Sequence, residues 1–186
     1  MFISKNSRSQ AVGELRLFGN IRVLAVAAVF IAISVAGKQL SFTAGPLRFG
    51  FETLTVLMAG IMLGPFIGAA VGACADIIGC IMVGYAINPV ITLGACCVGF
   101  ISGIVSHTMF KENKALNIAV SIAAARIVGS LIINSIAFYI YFHYPLKLIL
   151  LRIPSCAILG VCEFYIIYMI MNNKAFANQL ERMCKK

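Results

Sequence analysis

Apolar positions run along this chain in long blocks, broken by short polar stretches. A first block spans about Val23 to Gly37. The stretch 38–50, KQLSFTAGPLRFG, carries Gly, Pro and two cations and reads as a loop. A short second block covers about Phe51 to Leu63, and Gly64-Pro65 makes the next turn. The third block runs from about Phe66 to Val83, the fourth from Pro89 to Met109. Lys111, Glu112, Asn113 and Lys114 form a charged turn. The fifth runs from about Leu116 to Tyr141, and the sixth from Leu148 to Met171. Blocks of this length and polarity predict an all-α membrane protein, a bundle of six transmembrane helices. The organisation expected is an N-terminal segment over 1–22, a membrane domain over 23–172 and a basic tail over 173–186. No repeat splits the chain into inverted halves.

Composition agrees with that pattern. The 186 residues are 61% hydrophobic and 11% charged, with a mean hydropathy of +0.99. A soluble globule is nearer 45–50% apolar and about 25% charged, so both a soluble domain and a disordered chain are excluded. Ser34-Val35-Ala36 resembles a signal cleavage site, but the apolar blocks continue down the whole chain, which favours a retained first helix. The seven cysteines form no CxxC pair and lie mostly inside apolar blocks, as small packing residues do.

The net charge of +9 is distributed by side. The termini and the 111–114 turn hold ten of the fifteen Lys and Arg. Lys38, Arg48 and Lys147 fall on the opposite side, with Arg152 opening the sixth helix. Under the positive-inside rule both termini are expected to be cytoplasmic. Cations placed this way, without interleaved aromatics, mark membrane orientation and not a nucleic-acid surface.

Ionisable groups inside a bilayer are expensive and are functional candidates by default. Here they are Glu52, Asp76, Arg126, Arg152 and Glu163, with the amides Asn88 and Asn134 beside them. Asp76 closes the stripe Gly64, Gly68, Gly72, Asp76 at i+4 spacing, about 15 Å from the cytoplasmic end of its helix. That face allows a neighbouring helix to come close and points the carboxylate into the bundle. Asp76 is either a ligand contact or half of an internal ion pair with Arg126. Arg126 itself is too deep to snorkel from outside, which favours an internal partner, and Glu163 reads as another internal polar contact. Arg48, between Phe49 and the nearby Phe51, suits a planar anionic ligand or a solvated interface. Arg152, near Pro154, faces an external ligand or snorkels. Asn88, held extended before Pro89, offers a donor and an acceptor to a ligand or caps the next helix. Ala28, Ala32 and Ala36 make a strip of small residues for a neighbouring helix, within the bundle or on another subunit.

Catalytic signatures are missing. There is no HExxH, GxSxG or P-loop, and His107 and His143 fall near opposite membrane faces. The chain is therefore not expected to be an enzyme.

The segments Arg48-Phe49-Gly50-Phe51, MAGIMLGPFIGAAVGACADIIG over 58–79 and YAINPVITLGACCVGFISG over 85–103 carry a family resemblance. Asn134-Ser135, Arg152-Ile153-Pro154 and Glu163 extend it. The chain resembles the substrate-binding S components of energy-coupling factor (ECF) vitamin transporters, most closely the folate-specific type. It departs from that type where Ser135-Ile136-Ala137 replaces Thr-Leu-Trp, where Ser155 replaces a Lys, and where Val161-Cys162 precedes Glu163.

The resemblance implies a bacterial plasma-membrane protein with a folate pocket near the outer face, lidded by the 38–50 loop and the 84–89 turn. The binding set it implies is Arg48, Phe49, Phe51, Asp76, Tyr85, Asn88, Asn134 and Arg152. Asp76 and Asn88 would read the pterin edge, Phe49, Phe51 and Tyr85 the ring faces, and Arg48 and Arg152 the glutamate tail. Ala28, Ala32 and Ala36 would dock on a transmembrane coupling protein that works with two ATPases. No cofactor or metal is expected in this chain; ATP is used by the partners. The alternatives are an S component for riboflavin, thiamine or a queuosine precursor, and a structural membrane protein without a ligand.

Overall fold

The computed structural model describes residues 21–44, 47–108, 113–142 and 152–172. The element order is α1 (Ile21–Gln39), β1 (Phe42–Ala44), β2 (Leu47–Phe49), α2 (Glu52–Leu63), α3 (Pro65–Val83), α4 (Pro89–Thr108) and α5 (Lys114–Ala125). A π-helix over Arg126–Ile133 then continues into α6 (Asn134–Phe142), and α7 covers Arg152–Asn172. The segment α5–π–α6 is one continuous rod, so the described residues form six helical rods.

Five of these rods are long and apolar enough to cross a membrane: Ile21–Gln39, Pro65–Val83, Pro89–Thr108, Ala115–Ile140 and Ile153–Asn172. The other, α2, has 12 residues. At 1.5 Å per residue it is about 18 Å long, against a hydrocarbon core of about 30 Å. It is also the most enclosed element, with every residue from Thr55 to Leu63 buried. Its length and its burial go together, because α2 is wrapped by α1, α3 and α4 rather than by lipid.

The 38–50 stretch is not a simple loop. Lys38 belongs to the last turn of α1, and Phe42–Ala44 and Leu47–Phe49 form a two-stranded antiparallel sheet pairing Phe42 with Phe49 and Ala44 with Leu47. The register of α1 explains the first part. Its buried positions are Val23, Ala27, Phe30, Ser34 and Lys38, three or four residues apart, so Lys38 continues the inward stripe.

Local chemistry sets the other boundaries. Gly64 adopts φ 97°, which favours glycine, and Pro65 opens α3 where its missing N–H is not needed. At the far end, Gly84 is left-handed with φ 79°, and the Tyr85 N–H donates to the Cys80 carbonyl at 2.9 Å, a Schellman closure. Asn88 caps α4: its Oδ1 accepts the Val90 N–H at 3.0 Å, with Pro89 in the first turn.

The core is built on close helix contacts. A Cβ on Gly68 would lie 2.5 Å from the Gly60 Cα and 2.7 Å from the Gly99 carbonyl oxygen. One on Gly72 would lie 2.4 Å from the Ala95 carbonyl oxygen. The glycine stripe of α3 is thus the face on which α2 and α4 rest, as its spacing predicts. Around it pack Val56, Leu57, Ile61, Ile67, Val71 and Val98. Many large apolar side chains on the periphery, among them Ile81, Met82, Val161 and Met169, are exposed. In a membrane-spanning chain that surface meets lipid.

The 111–112 part of the charged turn, both terminal segments and residues 143–151 lie outside the described residues.

A polar cleft at one end of the helix bundle

The candidate site is a narrow cleft with a cavity volume of about 60 Å³, below the range of about 300–1,000 Å³ usual for small-molecule sites. It lies where the C-terminal part of α1, the start of α2, the second half of α3, the first turns of α4 and the π–α6 junction converge. The hairpin and the 84–88 connection belong to this same end of the bundle. Larger grooves exist, but the one between α5 and α7 is lined almost wholly by apolar side chains. The cleft is distinguished by two carboxylates, Glu52 and Asp76, in a lining that also holds Ser34, Thr53, Ser130 and Asn134, on apolar walls that include Val56 and Val98.

Asp76 is the most constrained of these groups. It is 8% exposed. Lys38 Nζ donates to its Oδ1 at 2.5 Å and to its main-chain carbonyl at 3.1 Å. The same ammonium reaches Cys80 Sγ at 3.2 Å. On the other oxygen, Thr92 Oγ1 donates to Oδ2 at 2.7 Å. The two charges stay buried because each is paired and hydrogen-bonded. Gly79 makes room for the lysine stem, since a Cβ there would lie 2.4 Å from Lys38 Cδ. The pair ties the end of α1 to the middle of α3.

This geometry corrects two expectations. Lys38 is not an outer-loop cation; it is 3% exposed and is the ion-pair partner of Asp76. Arg126 is not that partner. Its Nε donates to Glu163 Oε2 at 2.6 Å, and its Nη2 donates to Oε1, a two-pronged pair linking the π-helix to α7. The internal partner expected for Arg126 and the internal contact expected for Glu163 are therefore one and the same.

Asn134 lines the cleft at the junction of the π-helix and α6. Its Oδ1 is buried, lies against Gly94, and has no hydrogen-bond partner among the described residues. The π-helix matters here. Such turns are rare and frequent at functional sites, because the extra residue re-aims side chains. Arg126 at its start faces Glu163, while Ser130 and Asn134 face the cleft.

The other expected site residues sit differently. Asn88 is buried, but its Oδ1 is used in the cap and its carbonyl accepts the Thr92 N–H at 3.0 Å. It supports the threonine that holds Asp76 without lining the cleft. Phe51, 65% exposed, and Tyr85, also exposed, are at the rim end outside the lining. The side chains of Arg48, Phe49 and Arg152 lie outside the described ones; their backbones belong to β2 and to the first residue of α7.

On α1, Ala28, Ala32 and Ala36 are all exposed. Packing among the described residues does not occupy this strip, because the inward stripe of the helix is the one through Ala27, Phe30 and Ser34.

Sequence reasoning missed Lys38, Ser34 and Ser130, and set Glu52 aside. For Lys38 and Ser34 a signal existed: the inward spacing of α1 runs through both. For Ser130 there was none, since nothing in the local sequence announces a π-helix.

No curated protein matches the sequence. Among solved structures, a crystal structure of FolT bound with folic acid shares the fold, with a TM-score of 0.67 and 18% sequence identity over 78% of this chain and 89% of that one. The profile of the family described as ECF transporter, substrate-specific component, matches residues 22–176. With that match across nearly the whole described chain, the protein belongs to the substrate-specific components of ECF transporters, which are transport proteins and not enzymes.

Proposed function

We propose that this chain is the folate-binding subunit of an ECF-type vitamin importer, and that the polar cleft holds the pterin. The observation that carries this reading is the convergence of Asp76 and Asn134 on one cleft. A carboxylate and an amide suit the aminopyrimidinone edge of a pterin, which presents adjacent donors and a carbonyl. Hydrogen bonds to a charged partner contribute about 1.5–3 kcal/mol each. The likeness in fold to a FolT that binds folic acid supports the same ligand class.

In this reading six helices embed in a bacterial plasma membrane with both termini cytoplasmic, and the cleft faces outward. The hairpin carrying Arg48 and Phe49, together with Phe51, Tyr85 and Asn88 of the rim, closes over the vitamin. Arg48 and Arg152 neutralise its glutamate tail. The exposed Ala28, Ala32 and Ala36 dock on the transmembrane coupling protein. Two ATPases drive the complex, and the vitamin is carried inward.

The test is thermal unfolding of the detergent-purified protein with folate, folinate, riboflavin and thiamine. A ligand at 100 times its Kd stabilises by about 2.7 kcal/mol. Folates are expected to raise the transition temperature. A folded, ligand-free sample that ignores folates and responds to another vitamin overturns the folate reading.

A further inference from the structure

The cleft as it stands is too small for a vitamin. Its cavity volume is about 60 Å³, against about 440 Å³ for the apolar groove between the α5–π segment and α7. One wall divides the two. Ser130 and Asn134 of the π-helix and its junction line the cleft, while Ile127 and Leu131 of the same π-helix line the groove. Space that this wall takes from the groove is space given to the cleft.

The walls differ in their freedom to move. On the far side, α2, α3 and α4 meet backbone to backbone; a Cβ on Gly68 would lie 2.5 Å from the Gly60 Cα, and one on Gly103 2.5 Å from the Pro65 nitrogen. Backbone packed this closely does not yield. The π–α6 rod also rests on α4, where a Cβ on Gly129 would lie 2.9 Å from the Gly94 carbonyl oxygen, so it has no room to move further in. Outward it faces the groove, whose lining is almost wholly apolar. In a bilayer such a groove takes up hydrocarbon chains, which are fluid and give way. At its start the rod is tied to α7 through Arg126 and Glu163. Beyond that tie, Ile136, Tyr139 and Ile140 of α6 are exposed.

The π-helix supplies the joint. A helix bends where π-turns interrupt its regular hydrogen-bond ladder. The junction also holds two buried oxygens, Asn134 Oδ1 and Ser135 Oγ, without a hydrogen-bond partner among the described residues. Unmet buried polar atoms are costly, so the present position of the rod is not the one that satisfies its own polar groups.

We propose that the π–α6 rod is a movable wall, which swings toward α7 when the vitamin binds and draws the space for its ring from the apolar groove. The inference rests on the cleft being the vitamin site. It does not depend on folate being the vitamin.

The experiment fills the groove. Ala157 of α7 lines it and is exposed. Its neighbour Ile158 is 62% exposed and lies outside the lining. Affinities for folate, folinate, riboflavin and thiamine are measured on the full-length detergent-purified wild type, A157F and I158F. For the vitamin that wild type binds, A157F is expected to weaken affinity about 10- to 100-fold, the size of an overpacked contact made only in the bound arrangement. Its unfolding temperature without vitamin stays near wild type, and I158F binds as wild type does. Should A157F not fold, A157L replaces it in the same comparison. The motion is read separately. The chain has no Trp, so I153W places a single reporter at the groove. Its quenching in bilayers with brominated acyl chains, relative to ordinary bilayers, is expected to fall when that vitamin is added, because the closing groove expels lipid.

A folded groove-filling variant that binds as wild type does, or quenching that the bound vitamin leaves unchanged, overturns the inference and leaves vitamin binding intact. A folded wild type that binds none of the four overturns it together with the folate reading. If folates do not bind, thiamine or riboflavin does, and both signals appear with that vitamin, the folate reading falls and the inference stands.

Discussion

Lys38 and Arg126 are both buried cations with a carboxylate partner, yet they predict different phenotypes. Removing one member of a buried pair strands the other charge, at about 3–5 kcal/mol. Arg126→Met is therefore expected to lower stability by about that much, and the double variant R126M/E163L to recover most of it. Denaturation curves of the singles and the double measure this directly; additive losses would show that the two groups are not coupled. Glu163 and Arg126 are outside the polar cleft, so the folded double variant should keep its ligand affinity. Lys38→Met strands Asp76 and is expected to be equally destabilising, but here affinity also falls, because Lys38 and Thr92 orient the carboxylate. Asp76→Asn is the better probe of binding, since an amide retains shape and neutralises the site. Asp76 and Arg126 were legible as buried charges because such residues stand out in an apolar span. Their partners were not legible. Pairing depends on which helices are neighbours and at what height, and spacing within one helix carries neither.

At the scale of elements, the short helix α2 governs the design. It is too short to span alone, and it is covered on all sides by longer helices that approach through glycine. Gly68→Ala puts a methyl group against the backbone of both α2 and α4. Backbone cannot swing away as a side chain can, so a loss of about 1–3 kcal/mol or more is expected, read as a lower unfolding temperature without change in helix content. The exposed face of α1 predicts the opposite signature. Ala32→Trp should leave stability and vitamin affinity near wild type, because Ala32 is exposed. Co-purification with the coupling protein and its ATPases should be lost. Retained assembly would remove this strip from the docking surface. The glycine stripe of α3 and the alanine strip of α1 look alike in the sequence. One is buried against two helices and the other is bare, a difference that only the arrangement of the helices decides.

For the whole molecule, the cleft joins segments from every quarter of the described chain up to the π–α6 junction. Ligand binding should therefore stabilise the bundle globally and not one helix alone. Hydrogen exchange is expected to slow in α1, α2, α3 and α4 together when a binding vitamin is added. Protection confined to the hairpin would mean that the ligand sits at the rim and not in the cleft.

By itself the sequence determined that the protein is helical and membrane-embedded, roughly where its helices lie, and that Asp76, Arg126 and Glu163 are charges within them, while it left Lys38 in a loop. These follow from local facts: apolar length against bilayer thickness, proline and glycine at turns, asparagine at a cap, and the expense of charge in hydrocarbon. The tertiary structure decided the pairing of Lys38 with Asp76 and of Arg126 with Glu163, the enclosure of α2, and the π-turn that brings Ser130 and Asn134 to the cleft. It also brought Glu52 to the cleft wall beside Asp76. Those are matters of which residues meet across different helices, and the free energy that settles them belongs to contacts far apart in the chain.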